Sequence, residues 1–111
     1  MTDSQLLSGI MQNDERAWRF ICRTMKSGFV SIIGQRFPFG NFSKEDMEDL
    51  FQTSCIVLMQ KVKEGAVSVS REGALFSYLV QVGKLTANNL IRKRSSLSIE
   101  EISFRYFTQL S

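Results

Sequence analysis

The stretch ALFSYLVQVGKLTANNLIRKR, residues 74–94, decides the fold. Its apolar residues recur at helical spacing, and its polar residues occupy the opposite side. The apolar stripe contains Leu75, Leu79, Val82, Thr86 and Leu90, and the polar stripe contains Ser77, Gln81, Lys84, Asn88 and Arg92. The spacing predicts a helix over 74–94, about 31 Å long at the standard rise.

Helical periodicity continues on the N-terminal side of this stretch, where Pro38 is the only proline. We predict a first helix that is capped by Asp3 or Ser4 and ends near Asn13, and a second over 14–37 that Gly28 and Gly34 bend or interrupt. Ser43 starts a capping box before a third helix over 44–63. A second capping-box pattern at 98–101 predicts a short C-terminal helix or linker. The predicted fold class is all-α, a compact bundle of about four helices with that short C-terminal element.

The composition excludes several functional classes. The 111 residues fit one domain, and they include no histidine. Histidine-based catalytic relays and histidine metal ligands are therefore excluded. Cys22 and Cys55 cannot form a zinc site, so we expect two buried thiols, with a disulfide between them as the alternative. We expect no metal, no cofactor, no catalytic residue and no enzymatic activity.

The N-terminus lacks the pattern of a signal peptide, and no apolar run is long enough to cross a bilayer. We therefore expect a cytoplasmic protein without membrane insertion.

Charge is segregated along the chain although its net value is only +3. Residues 43–49 hold four acids against one lysine, and residues 71–94 hold five basic residues against one acid. This pattern indicates two partners of opposite charge, or else two solvated helix faces.

The acidic helix carries an apolar residue on its polar face. At 100° per residue, Ile56 projects within the arc of Glu45, Asp49 and Gln52. Either Ile56 packs under the loop before this helix, or it is the apolar anchor of a docking strip for a basic partner helix.

The basic helix has no acid between Ala74 and Arg94. A solvated face usually mixes both signs, whereas donors and amides alone suit phosphate oxygens and base edges. The run 92–94 adds an electrostatic clamp, although basic residues also favour a helix C-terminus. Tyr78 and Leu85 flank the stripe and offer a stacking or wedge surface to unpaired bases.

Three motifs in order resemble the extracytoplasmic-function (ECF) sigma factors, the small bacterial promoter-recognition subunits of RNA polymerase. Glu45-Asp-Met-Glu-Asp-Leu-Phe-Gln52 resembles that family's Asp-Ala-Glu-Asp-Leu-Val-Gln-Glu signature. The run 76–94 resembles its aromatic-Leu-x-x-Ile-Ala-x-Asn segment, and 3–18 resembles its Leu-Leu, acid-pair, Ala-aromatic opening. The chain departs from the family pattern at Thr53, Cys55 and Leu85.

The resemblance implies a sigma region 2 domain over 1–95, and a linker over 96–111 toward an absent helix-turn-helix domain. We expect either an excised domain or a natural single-domain relative. Such a domain directs the polymerase core to promoters and melts the minus-ten element. Its implied partners are a coiled coil of the largest core subunit, promoter DNA including the melted non-template strand, and an anti-sigma factor.

Matched positions assign residues to these partners. Those implied to contact the polymerase core are Glu48, Asp49, Gln52, Thr53, Ile56 and Met59. Those implied to contact DNA are Arg71, Ser77, Tyr78, Gln81, Lys84, Asn88, Arg92, Lys93 and Arg94, and the loop over 63–73 is implied to hold a flipped base.

Two other classes of function compete with this interpretation. A helical protein-interaction adaptor without DNA binding explains the acidic face only. An enzyme with a divalent ion held by the acids of residues 45–49 is disfavoured, because consecutive side chains on a helix diverge.

Overall fold

The structure is a computed structural model that describes the backbone of residues 1–110 and the side chains of residues 1–95. Its elements are α1 (Asp3–Met11), α2 (Glu15–Arg36), α3 (Lys44–Lys63) and α4 (Ala74–Leu110). The described residues contain no strand, so the prediction of an all-α bundle is confirmed. None of these helices is both long enough and apolar enough to span a membrane over the described residues.

The N-termini of α1 and α4 cap each other. Asp3 is 4% exposed, and its carboxylate accepts a hydrogen bond from the Leu75 amide at 3.0 Å, where α4 begins without a capping side chain on Gly73. In return the Glu72 carboxylate accepts from the Asp3 amide at 3.2 Å. The predicted cap of α1 at Asp3 or Ser4 is therefore wrong, because Asp3 serves α4 and Thr2 caps α1.

Local signals set the limits of α3. Ser43 accepts from the Asp46 amide, and the Asp46 carboxylate accepts from the Ser43 amide, which confirms the predicted capping box. The helix ends at Lys63, as predicted, and Gly65 follows with φ of +74°. The acidic segment therefore lies on the first turns of a regular helix.

The C-terminal prediction is corrected. α4 continues to Leu110 instead of ending at Arg94, and no separate fifth helix begins near Ile99. Residues 95–110 contain neither glycine nor proline, so the helix meets no strong helix breaker, and the capping-box pattern at 98–101 does not end it. The side-chain caps predicted for residues 98–101 lie outside the described side chains.

Glycines allow α2 to pack closely on its neighbours. α2 is one uninterrupted helix, so the predicted break at Gly28 or Gly34 is wrong. A Cβ on Gly28 would lie 3.1 Å from the Phe76 ring, and one on Gly83 would lie 2.3 Å from the Phe29 ring. Phe29 is fully buried and packs edge-to-face on Phe51 with ring centroids 5.3 Å apart. These contacts pack α2, α3 and α4 around one hydrophobic core.

Candidate nucleic-acid and protein interfaces

The polar stripe of α4 remains at the surface. Gln81 and Arg92 are exposed, and Lys84 and Asn88 are half-buried. Ser77, one turn before Gln81, is also exposed. Since the five residues follow one another at steps of three or four, they share one face of the helix. The predicted stripe therefore forms a continuous cationic and amide surface.

Two residues that the sequence did not indicate join this stripe. Arg36, at the end of α2, and Phe37 line a cavity of about 180 Å³ together with Gln81, Lys84, Leu85 and Asn88 of α4. The Arg36 guanidinium lies over the Phe37 ring, 5.3 Å from its centroid. About 45 positions separate these residues from the stripe in the sequence, so only the tertiary packing of α2 on α4 brings them together.

The basic cluster 92–94 is divided between two surfaces. Arg94 follows Arg92 by two residues and therefore projects about 200° away from it around the helix. Its guanidinium donates to Asp46 of α3 at 2.7 Å and lies 5.9 Å from the Phe42 ring centroid. The bond to Arg94 and the one to the Ser43 amide lower the pKa of Asp46. Arg94 thus holds α4 to the start of α3, although it is exposed, as Arg92 and Lys93 also are.

The two apolar residues that flank the stripe differ in exposure. Leu85 is 67% exposed, so it remains open to a ligand. Tyr78 is half-buried and packs against the core. In the loop that precedes α4, the Arg71 side chain is exposed, and the Arg71 carbonyl accepts a hydrogen bond from the Ala74 amide at 3.3 Å. Of the two residues predicted to offer a stacking or wedge surface, Leu85 is therefore the more exposed, and that role stays a prediction.

The acidic face of α3 presents Ile56 to solvent. Ile56 is 53% exposed, so the alternative in which it packs under the preceding loop is wrong. Asp49, Gln52 and Thr53 are exposed on the same helix, and Met59 is half-buried against the core. The face therefore has an apolar centre with a polar and acidic surround.

An apolar cavity of about 260 Å³ adjoins this face between α2 and α3. Trp18 of α2 and Phe51 and Ile56 of α3 form part of its wall. At one side Lys26 Nζ lies 2.5 Å from the Glu48 carboxylate. Glu48 is therefore ion-paired within the chain. α2 forms one wall of the cavity, which the apolar spacing along α3 alone could not predict.

The cysteine prediction is partly wrong. Cys22 is exposed rather than buried, and Cys55 is half-buried, although both line the cavity between α2 and α3. Both are free thiols. Burial, with a smaller effect of neighbouring Cys22, raises the pKa of the Cys55 thiol to about 12.

The acids of α3 do not converge on a common point. Asp46 is bound to Arg94 and Glu48 to Lys26. Within residues 1–95, no three Cys, Asp or Glu side chains are grouped in a way that could hold a metal ion.

Comparison with known proteins adds no relative to this description. No protein-family model matches the chain, and no curated protein or solved structure matches it either.

Proposed function

We propose that this chain is a sigma-factor domain that binds the core of bacterial RNA polymerase through α3 and promoter DNA through α4. In this role it acts in the bacterial cytoplasm, without catalytic residues or cofactors of its own. The motif resemblance suggests the family. Two exposed surfaces, one acidic with an apolar centre on α3 and one cationic on α4, support the two binding activities.

The α3 surface supports docking on a helical partner. Stable interfaces combine a desolvated apolar centre with a polar rim. Ile56 supplies such a centre next to the cavity that Trp18 lines, and Asp49 and Gln52 supply the rim. A basic partner helix would place one apolar side chain in the cavity and its cations on the carboxylates.

The α4 surface supports binding of nucleic acid, and its composition is the main support for the proposal. Between Ala74 and Arg94 the helix has no carboxylate, and its stripe of hydroxyl, amide and cationic groups is at the surface. Lys84 and Arg92 suit phosphate oxygens, and Gln81 and Asn88 suit base edges. The neighbouring Leu85 is available to contact an unstacked base.

Binding of a forked promoter fragment tests this assignment. The pair Lys84→Ala and Arg92→Ala should weaken binding and reduce the salt slope of log K by about one per lost phosphate contact. The pair Arg19→Ala and Arg23→Ala removes the same charge from exposed positions of α2, so it serves as the matched control. If the α4 pair and the control pair behave alike, α4 is not the DNA-binding surface.

An all-helical interaction adaptor without DNA binding is the second candidate. The apolar cavity beside Ile56 favours it, since this feature is as useful to an adaptor as to a sigma factor. An adaptor leaves the acid-free stripe of α4 without a role. If the chain is an adaptor, the Lys84→Ala, Arg92→Ala variant should capture a protein partner as well as the wild type does. The wild-type chain should then have no measurable affinity for DNA.

A further inference from the structure

Both cysteines of the chain line the same cavity between α2 and α3. Cys22 belongs to α2 and Cys55 to α3, and the cavity holds about 260 Å³. Both side chains are free thiols, of which Cys22 is exposed and Cys55 is half-buried. One cavity therefore brings together all the thiol groups of the chain.

The register of the two helices places these thiols opposite each other. α3 runs back along α2 after the turn over 37–43, and facing residues of an antiparallel pair have residue numbers of nearly constant sum. Three close approaches between the helices give sums from 74 to 81, namely Gly34 with Met47, Phe29 with Phe51 and Lys26 with Glu48. Cys22 and Cys55 give 77, within that range. The thiols also affect each other, because Cys22 adds to the effect of burial in raising the pKa of Cys55.

A disulfide between these positions would bring the two helices closer together. Packed helices lie about 8–10 Å apart, whereas the Cα atoms of disulfide-bonded residues lie about 4.4–6.8 Å apart. The cavity that both thiols line provides space for this approach. Trp18 and the exposed Ile56 line the same cavity, so the bond should narrow it beside the apolar centre of the α3 surface.

The two thiols differ in the way that a redox-sensing pair requires. A small oxidant can reach exposed Cys22 from solvent, whereas the raised pKa of Cys55 keeps that thiol protonated. Redox-sensing cysteines are accessible and often lie next to a second cysteine that resolves the first oxidation product. In a reducing compartment, such as the one proposed for this chain, disulfides are usually transient and serve this purpose.

We infer that Cys22 and Cys55 form a hydroperoxide-sensitive thiol pair whose disulfide closes the cavity beside Ile56 and releases the polymerase core. The release of the core rests on the proposed function, in which an apolar side chain of the partner enters this cavity. The chemistry of the pair does not depend on that function.

Oxidation by hydrogen peroxide takes two steps. The Cys22 sulfur attacks one peroxide oxygen, so that the S–O bond forms, the O–O bond breaks, and water leaves with the thiol proton. The Cys55 sulfur then attacks Sγ of the Cys22 sulfenic acid, so that the S–S bond forms, the S–O bond breaks, and a second water takes the Cys55 proton. The two thiols lose two electrons in total, and these reduce one peroxide to two waters. A dithiol reverses the reaction by thiol–disulfide exchange.

Mass spectrometry of the 111-residue chain after treatment with hydrogen peroxide and alkylation tests the pair. The wild type should contain an intramolecular disulfide, carry no alkyl group, and recover both thiols with dithiothreitol. Cys55→Ser should stop at the sulfenic acid of Cys22, which dimedone traps, and Cys22→Ser should keep Cys55 reduced. Oxidation of the wild type that stops at Cys22, or that links two copies of the chain, overturns the pair.

Trp18 reports closure of the cavity, because it is the only tryptophan of the chain and lies in the cavity wall. Acrylamide should quench its fluorescence less after the disulfide has formed, since a narrower cavity admits less quencher. Dithiothreitol should restore the quenching, and peroxide should not change it in Cys22→Ser. Equal quenching of the reduced and disulfide forms refutes the closure.

Capture of purified core polymerase connects the pair to the proposed function. Peroxide should reduce capture by the wild type about ten-fold, because loss of a central apolar pocket removes a main contribution to an interface. Dithiothreitol should restore it, and capture by Cys22→Ser should be the same with and without peroxide. Unchanged capture by the disulfide form refutes the release and leaves the proposed function standing. Failure of the reduced wild type to capture the core refutes the proposed function and the release together, whereas the mass measurement still decides the thiol pair.

Discussion

Gly83→Ala should destabilise the protein even though alanine is the better helix former. An added Cβ would lie 2.3 and 2.6 Å from two ring atoms of Phe29 and 3.2 Å from Ile33 Cδ1. Carbon atoms prefer separations of about 3.5–4.0 Å, so the ring would have to move by about 1 Å. Phe29 is fully buried and packs edge-to-face on Phe51. Because protein cores are close-packed, we expect such a movement of the ring to disturb its neighbours.

The net effect follows from two opposing contributions. Overpacking of a core costs about 1–3 kcal/mol, and a contact with two ring atoms corresponds to the upper part of that range. The change from glycine to alanine within a helix returns about 1 kcal/mol. We therefore expect a net loss of about 1–2 kcal/mol and a melting temperature lower by about 4–8 °C.

The same chemical change at Gly34 is the matched control. There the added Cβ would lie 3.7 Å from Met47 Cε, an ordinary van der Waals distance, so Gly34→Ala should stabilise the protein by up to about 1 kcal/mol. Urea and thermal unfolding followed by far-ultraviolet circular dichroism measure both changes. A Gly83→Ala variant as stable as the wild type would contradict the predicted overlap of the added Cβ with the Phe29 ring. As a second check, Phe29→Leu should cost less in the Gly83→Ala background than alone, since the smaller side chain relieves the overlap.

Three further predictions concern caps, protonation and thiols. Asp3→Ala should cost about 1–3 kcal/mol in urea unfolding because it leaves the start of α4 uncapped, whereas Asp3→Asn keeps an acceptor and should cost clearly less; equal costs contradict the cap. The pKa of Asp46 is lower in the folded state, so its contribution to stability is present above about pH 4 and is lost as pH falls. The stability advantage of the wild type over Asp46→Asn should therefore shrink on acidification, and a constant difference contradicts the ion pair. Alkylation followed by peptide mass mapping should label exposed Cys22 at neutral pH and leave Cys55 protected by burial and its pKa of about 12; equal labelling contradicts the packing of α3.

The features that could be predicted from the sequence are those that local physics decides. The limits of α3 follow from a capping box at Ser43 and from the apolar spacing that ends at Lys63. The start of α4 and its polar stripe follow in the same way from helical periodicity. Exposure of Ile56 was one of two alternatives that periodicity alone left open, and the packing decided between them.

The features that could not be predicted depend on which helices meet. Propensity marks Gly28 as a weak helix position, but the Phe76 ring of α4 approaches α2 there. In the same way, the Phe29 ring of α2 approaches α4 at Gly83, a position that the sequence did not indicate. Asp3 was assigned to its own helix, but it caps α4 from the opposite end of the chain. Arg36 gives no functional signal in the sequence, because its polar neighbours in the cavity belong to α4. Each of these depends on contacts that no local pattern encodes.

Capture of purified bacterial core RNA polymerase by the immobilised chain tests the central claim most directly. The wild-type chain should retain the core, and Ile56→Asp should abolish retention, because it places a charge at the apolar centre of the α3 surface. Met11→Ala, an exposed substitution on α1, should capture the core as the wild type does. Retention by Ile56→Asp at the wild-type level, or failure of the wild-type chain to retain the core at all, would contradict the assignment of α3 as the polymerase-binding helix.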